Sequence, residues 1–131
     1  MSFHLNVVGF LLIGLAIVHA VFPKYFNWKD ECQSLSLINR QMFYVHTFFI
    51  VLTLFLMGLF CLTETQKIIE TDVGKTVALG FGIFWFALLV IQFFVYSSEL
   101  WRGKTFETVI HILFSILWIY LSAIFFLIYF S

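Results

Sequence analysis

Four long apolar stretches alternate with shorter polar ones along this chain. The apolar stretches are 3–22, 42–62, 76–98 and 106–130, and the first three contain no Asp, Glu, Lys or Arg. Each is about as long as the ~20 residues that a helix needs to cross a ~30 Å hydrocarbon core. The pattern therefore predicts an all-α integral membrane protein. We expect one domain over 1–131, in which four transmembrane helices form an antiparallel, up-down-up-down bundle.

Composition supports the same class. The chain is 63% hydrophobic and 11% charged, whereas soluble domains average about 25% charged residues. The formal net charge is zero, which predicts no general attraction to nucleic acid. The sequence contains no GxGxxG, Walker, HExxH or CxxC pattern. The first partner expected from composition is the lipid bilayer.

The first apolar stretch has two interpretations. Val18, His19 and Ala20 loosely resemble a signal-peptidase site, with small residues at the −3 and −1 positions. However, residues 1–10 contain no Lys or Arg, and a signal peptide requires a positively charged start. We therefore expect a permanent span rather than a cleaved leader.

The first loop carries a helical pattern of its own. Trp28, Cys32, Leu35 and Ile38 recur at helical spacing, with mostly polar residues between them. Such a pattern predicts a short amphipathic helix at the membrane surface, or an extension of the second span.

Basic residues predict how the chain is oriented. Loops 23–41 and 99–105 would share one side of the membrane and hold five of the seven Lys and Arg residues. Cytoplasmic loops are enriched in these residues. We therefore expect both loops to be cytoplasmic and both termini non-cytoplasmic, in an inner or plasma membrane.

Small residues predict a contact between helices. Gly74, Ala78 and Gly82 are spaced by four, so they share one face of the third span. Small residues allow two membrane helices to approach closely. We expect this face to contact the first span, through Gly9 or Ala16.

Polar side chains also recur at helical spacing in the last three spans. An unpaired polar group in hydrocarbon costs several kcal/mol, so these stripes should turn toward other helices. Two serines in the fourth span have a simpler explanation, a hydrogen bond to their own i−4 carbonyl. The stripes are Asn39, His46, Thr53 and Cys61; Gln92, Tyr96 and Glu99; and Glu107, His111, Ser115 and Ser122.

Three histidines are expected at one depth. At ~1.5 Å per residue, His19, His46 and His111 lie roughly 5–9 Å below the same membrane surface, as does Gln92. Imidazoles from three helices suit zinc, copper or iron, and two of them could hold a haem. The sequence therefore predicts a metal or haem site on these histidines. Its expected surroundings are Gln92, Tyr96, Glu99, Asn39 and Glu107.

Two other functions fit the same residues. The chain could be a non-catalytic accessory or assembly subunit, whose polar layer only holds helices together and which binds other membrane subunits. Alternatively, it could be a lipid- or quinone-handling membrane enzyme that uses a histidine as its base. The sequence leaves open whether the protein is an enzyme.

Overall fold

The computed structural model describes residues 1–131 and is built of helices without strands. Four of the helices are long and apolar enough to cross a membrane, as predicted, which is compatible with a small membrane protein. The helices are α1 Ser2–Tyr25, α2 Trp28–Glu31, α3 Leu37–Thr63, α4 Thr65–Glu70, α5 Asp72–Phe94 and α6 Thr105–Phe130, with a 3-10 turn at Ser98–Leu100.

The chain divides into two compact units, each built on one pair of long helices. One unit is Ser2–Thr65 and contains α1 and α3; the other is Gln66–Ser131, with Met1, and contains α5 and α6. The single domain and the single four-helix bundle stay predictions.

In the first unit, α1 and α3 are antiparallel and their backbones touch. Near one end of the pair, the hydroxyl of Thr65 donates to the side-chain oxygen of Asn6 (3.1 Å). At Gly9 a β-carbon would lie 2.9 Å from the carbonyl oxygen of Gly58, and at Gly58 one would lie 2.7 Å from the carbonyl oxygen of Gly9. Only glycine at both positions permits this approach, so Gly9 contacts the backbone of the second span.

The inner face of α3 differs from the predicted polar stripe. Of that stripe, only Cys61 is buried, whereas Asn39, His46 and Thr53 are exposed. The contact between Gly9 and Gly58 decides which face of α3 turns toward α1, and the stripe lies largely outside that face. The buried residues of α3 are Leu54, Met57, Gly58 and Cys61.

In the second unit, α5 and α6 are also antiparallel, but aromatic side chains hold them together. The rings of Trp85 and Trp118 stack with centroids 5.3 Å apart and planes 15° apart, and Phe81 meets Phe125 edge-on. Both indole N–H groups of the tryptophan pair are buried and have no hydrogen-bond partner. The interior of this pair is therefore an aromatic stack that carries two unsatisfied donors.

The small-residue face of α5 is buried, but its neighbours differ from those predicted. Ala78 is 0% exposed. A β-carbon at Gly82 would lie 3.0 Å from the Phe126 ring of α6, and one at Gly74 would meet the backbone of α4 at Lys67 and Ile68. The prediction of a packed face is confirmed. The first span was the wrong choice of neighbour, because the chain returns through α4 and α6 to cover this face.

The first two connections between long helices contain short helices of their own. In the first, the α-helix covers only Trp28–Glu31 and ends before Cys32, which is buried. The second span starts early, at Leu37, where Ser36 accepts a hydrogen bond from the Asn39 backbone N–H. Of the amphipathic pattern, Trp28 lies in α2 and Ile38 in α3, whereas Cys32 and Leu35 lie between the two helices. An amphipathic helix at the membrane surface stays a prediction. In the second connection, α4 buries Ile68.

Candidate functional site

A cavity lies where α5 ends and α6 begins, entirely within the second unit. Its volume is about 270 Å³. We call it the His111 cavity; its lining residues are Gln92, Phe93, Tyr96, Ser98, Trp101 and His111. Three of these six, Gln92, Tyr96 and His111, belong to the site predicted from the sequence.

Hydrogen bonds orient the His111 ring. The side-chain nitrogen of Gln92 lies 3.0 Å from His111 Nδ1 and 3.4 Å from both the His111 carbonyl oxygen and Ser115 Oγ. The Ser115 hydroxyl donates its proton to the same carbonyl (2.8 Å), so its oxygen faces Gln92 as an acceptor. Both oxygens require the NH₂ side of the amide, so Gln92 donates to Nδ1. In the neutral ring the proton is then on Nε2.

The end of α5 explains why two further polar groups line the cavity. The backbone N–H groups of Val95 and Tyr96 both donate to the carbonyl of Ile91 (3.0 and 3.2 Å), which ends the regular helix. Tyr96 and Ser98 therefore lie beyond the helix that was predicted to run through Ser98. They line the cavity from the connecting segment rather than from a helical stripe.

The loop after α5 holds an aromatic ring over His111. The rings of Trp101 and His111 stack with centroids 4.8 Å apart and planes 19° apart. The carbonyl of Trp101 accepts a hydrogen bond from the hydroxyl of Thr108, one turn into α6 (2.6 Å). Gly103 has a φ of +74°, a conformation that favours glycine and that turns the chain into α6. Trp101 is therefore fixed from both sides.

The remaining predicted site residues lie outside this cavity. His19 Nδ1 donates to the carbonyl of Leu15 in its own helix (2.9 Å). His46, Asn39 and Glu107 are exposed, and none of them lines the cavity. Glu99 falls in the 3-10 turn, where its backbone N–H bonds to the hydroxyl of Ser97, so it is not part of an α5 stripe.

The His111 cavity does not fit a metal ion or a haem. Protein zinc sites take three or four ligands from Cys, His, Asp and Glu, but His111 is the only such residue in the lining. The volume of the cavity lies just below the ~300 Å³ lower limit of pockets for drug-sized ligands. A haem is larger than most drug-sized ligands. No group of three or more His, Cys, Asp and Glu residues anywhere in the structure could hold a metal ion. The three-histidine metal or haem site gains no support.

Sequence reasoning missed half of the lining: Phe93, Ser98 and Trp101. Phe93 follows Gln92 directly and is one phenylalanine among 19, so its residue type carries no signal. Trp101 could have been found, because a tryptophan two residues before a glycine, in a short connection between spans, has few places to pack. The residue pattern did not predict the early end of α5 at Phe94, after which the connection folds back onto His111.

Comparisons with known proteins do not identify the chain. No protein-family model, no curated protein and no solved structure matches it. The function must therefore be argued from the geometry of the His111 cavity.

Proposed function

We propose that this chain is a small integral membrane protein that binds the polar head of a membrane-borne small molecule in the His111 cavity. The supporting observation is the hydrogen bond from Gln92 to His111 Nδ1, which fixes the ring and leaves Nε2–H as a donor. The bond orients the ring beside the His111 cavity, whose volume is about 270 Å³. A fixed donor beside such a volume is the arrangement that orients a bound ligand.

The position of the cavity along the helices suits an amphiphile. It lies at the ends of two spans, where exposed apolar residues such as Phe94 and Phe106 meet the charged residues of the loop, such as Arg102. Phe93, which lines the cavity, is itself half exposed. A ligand could therefore place its polar head in the cavity and its apolar tail along the lipid-facing helix surface.

Sidedness is part of the proposal. By the distribution of Lys and Arg, loops 23–41 and 99–105 are cytoplasmic and both termini are not, so the cavity faces the cytoplasmic leaflet. Cys32 is only 7% exposed and is a poor labelling target. The exposed Ser34 should be replaced by cysteine in a Cys32→Ser, Cys61→Ser background. Labelling of Ser34→Cys by an impermeant thiol reagent only after cell lysis supports the orientation, and labelling in intact cells would reverse it.

The binding proposal is tested by filling the cavity. We expect organic extracts of the purified protein to contain a small amphiphile, identified by mass spectrometry. Its amount should fall strongly in Ser98→Phe, which places a ring in the cavity. The control Ser34→Phe makes the same change at an exposed serine of the first unit and should retain it. Equal amounts of every extracted amphiphile in both variants would contradict binding in this cavity.

The same preparation distinguishes the other functions. A metal or haem site on His19, His46 and His111 stays a separate prediction. It requires zinc, copper, iron or a haem spectrum in the wild type and loss of that signal in His46→Ala. An accessory or assembly subunit would instead purify with other membrane proteins and contain neither a ligand nor a metal.

A further inference from the structure

We infer that the ligand of the His111 cavity is a quinone-like head group: one neutral, planar ring that carries carbonyl oxygens. This inference rests on the binding function proposed above and names the chemical class of its ligand. It follows from three properties of the lining, which are its charge, its hydrogen-bonding groups and its aromatic rings.

The lining carries no formal charge. None of its six residues is Asp, Glu, Lys or Arg. The nearest charged residues in sequence, Glu99 and Arg102, are exposed and do not line the cavity. A phosphate or ammonium head group requires an opposite charge or several charge-assisted hydrogen bonds when it leaves water. The cavity provides no opposite charge, so it favours a neutral head group.

The hydrogen-bonding groups favour a ligand with acceptors. His111 Nε2–H can only donate, because Nδ1 is occupied by Gln92. The hydroxyls of Tyr96 and Ser98 can donate as well. A carbonyl oxygen accepts from such groups without bringing a proton of its own. Two carbonyls on opposite sides of one ring would match donors that come from α6 and from the segment after α5.

The aromatic rings favour a flat ligand of limited size. Trp101 and His111 form one nearly parallel stack, and Phe93 meets His111 edge-on (6.0 Å, 82°). Aromatic rings prefer stacked or edge-on contacts with other planar rings. A volume of about 270 Å³ lies below the range for drug-sized ligands, so it suits one substituted ring.

The test uses the full chain in phosphatidylcholine nanodiscs and a decyl-substituted benzoquinone as the probe. Binding is measured by equilibrium dialysis against empty nanodiscs, which corrects for partition into lipid. We expect saturable binding, which His111→Phe should weaken by about ten-fold, because this change keeps an aromatic ring but removes the Nε2–H donor. Tyr96→Phe should weaken it by a few-fold. Tyr129→Phe is the matched control, since Tyr129 lies at the other end of α6, and it should have no effect.

Two further probes separate the ligand class from the binding function. Decylbenzene lacks both carbonyls and should not bind saturably, and neither should a lysophospholipid, whose head group is charged. If decylbenzene binds as well as the quinone, or if only the lysophospholipid binds and Ser98→Phe abolishes it, the quinone class is wrong and the binding function stands. If no probe binds in a manner sensitive to Ser98→Phe, both are overturned.

Discussion

The two helix pairs are alike in length and hydropathy, yet their interiors are built differently. In the α1–α3 pair, glycines bring the two backbones together: a β-carbon at Gly58 would lie 2.7 Å from the carbonyl oxygen of Gly9. In the α5–α6 pair, aromatic rings stand between the backbones, and Trp85 and Trp118 are stacked with centroids 5.3 Å apart. The distance between the helices is set by backbone contact in the first pair and by aromatic side chains in the second.

The difference explains where the cavity occurs. Where two backbones are in direct contact, no space is left between the helices for a ligand. Aromatic side chains separate two helices, and where the aromatic core ends a space stays open. In this chain that space is the His111 cavity, about one turn beyond Ser115 and about two turns beyond Trp118.

The largest expected effect tests the backbone contact. Gly9→Leu should destabilise the protein by about 3 kcal/mol or more, because its side chain would meet the carbonyl of Gly58, which cannot move without moving α3. Unfolding in detergent measures the effect. Gly14→Leu is the matched control on the same helix, since no atom lies within 4 Å of its β-carbon position. Equal stability of the two variants would show that the backbones of α1 and α3 do not touch.

A smaller effect is expected at the equivalent position of the other pair. Gly82→Leu should lower the free energy of unfolding by about 1–2 kcal/mol. A β-carbon there meets only the ring of Phe126, and this side chain can change its rotamer. Adding Phe126→Ala should recover part of the loss. Gly80→Leu, in open space on the same helix, is the control. A loss as large as that of Gly9→Leu, without recovery in the double variant, would remove the distinction between the two pairs.

The hydrogen bond in the cavity predicts a change of tautomer. Gln92→Leu removes the donor to His111 Nδ1 and should cost about 1 kcal/mol of stability. More specifically, ¹⁵N NMR of the His111 ring should show Nε2 protonated in the wild type and a mixture of tautomers in Gln92→Leu. His19 provides the internal reference, because its Nδ1 donates to the carbonyl of Leu15 and does not depend on Gln92. A wild-type ring protonated at Nδ1 would contradict the proposed donor.

The smallest effect concerns the aromatic core. Trp118→Phe removes a buried N–H that has no acceptor, a group that costs about 1–3 kcal/mol, and it also removes part of the stack with Trp85. The two terms oppose each other, so we expect a change of stability below about 1 kcal/mol in either direction. Trp28→Phe, at a half-buried tryptophan of the first unit, has no orphaned N–H to remove. A loss of several kcal/mol in Trp118→Phe would mean that its N–H has an acceptor.

Residue patterns in the sequence predicted contacts within one helix better than contacts between helices. Ser115 and Ser122 hydrogen-bond to the carbonyls of His111 and Trp118, four residues earlier, as expected from their places in a membrane helix. Such contacts depend only on the local helix. The small-residue face of α5 was also found, because its spacing is a property of one helix. Its neighbour, Phe126, was not, because spacing on one helix carries no information about which helix covers it.

The sequence by itself determined the helical class and the four apolar spans, since a long uncharged stretch has few other ways to satisfy its backbone. It also singled out Gln92 and His111 as polar side chains with no place in lipid. Only the tertiary structure decided that Trp101 and Tyr96 join them. That outcome depends on the end of α5 at Phe94 and on the hydrogen bond from the Thr108 hydroxyl to the carbonyl of Trp101. Neither feature can be predicted from hydropathy. For His19 the structure gives a local partner that the depth argument did not predict, the carbonyl of Leu15 in its own helix.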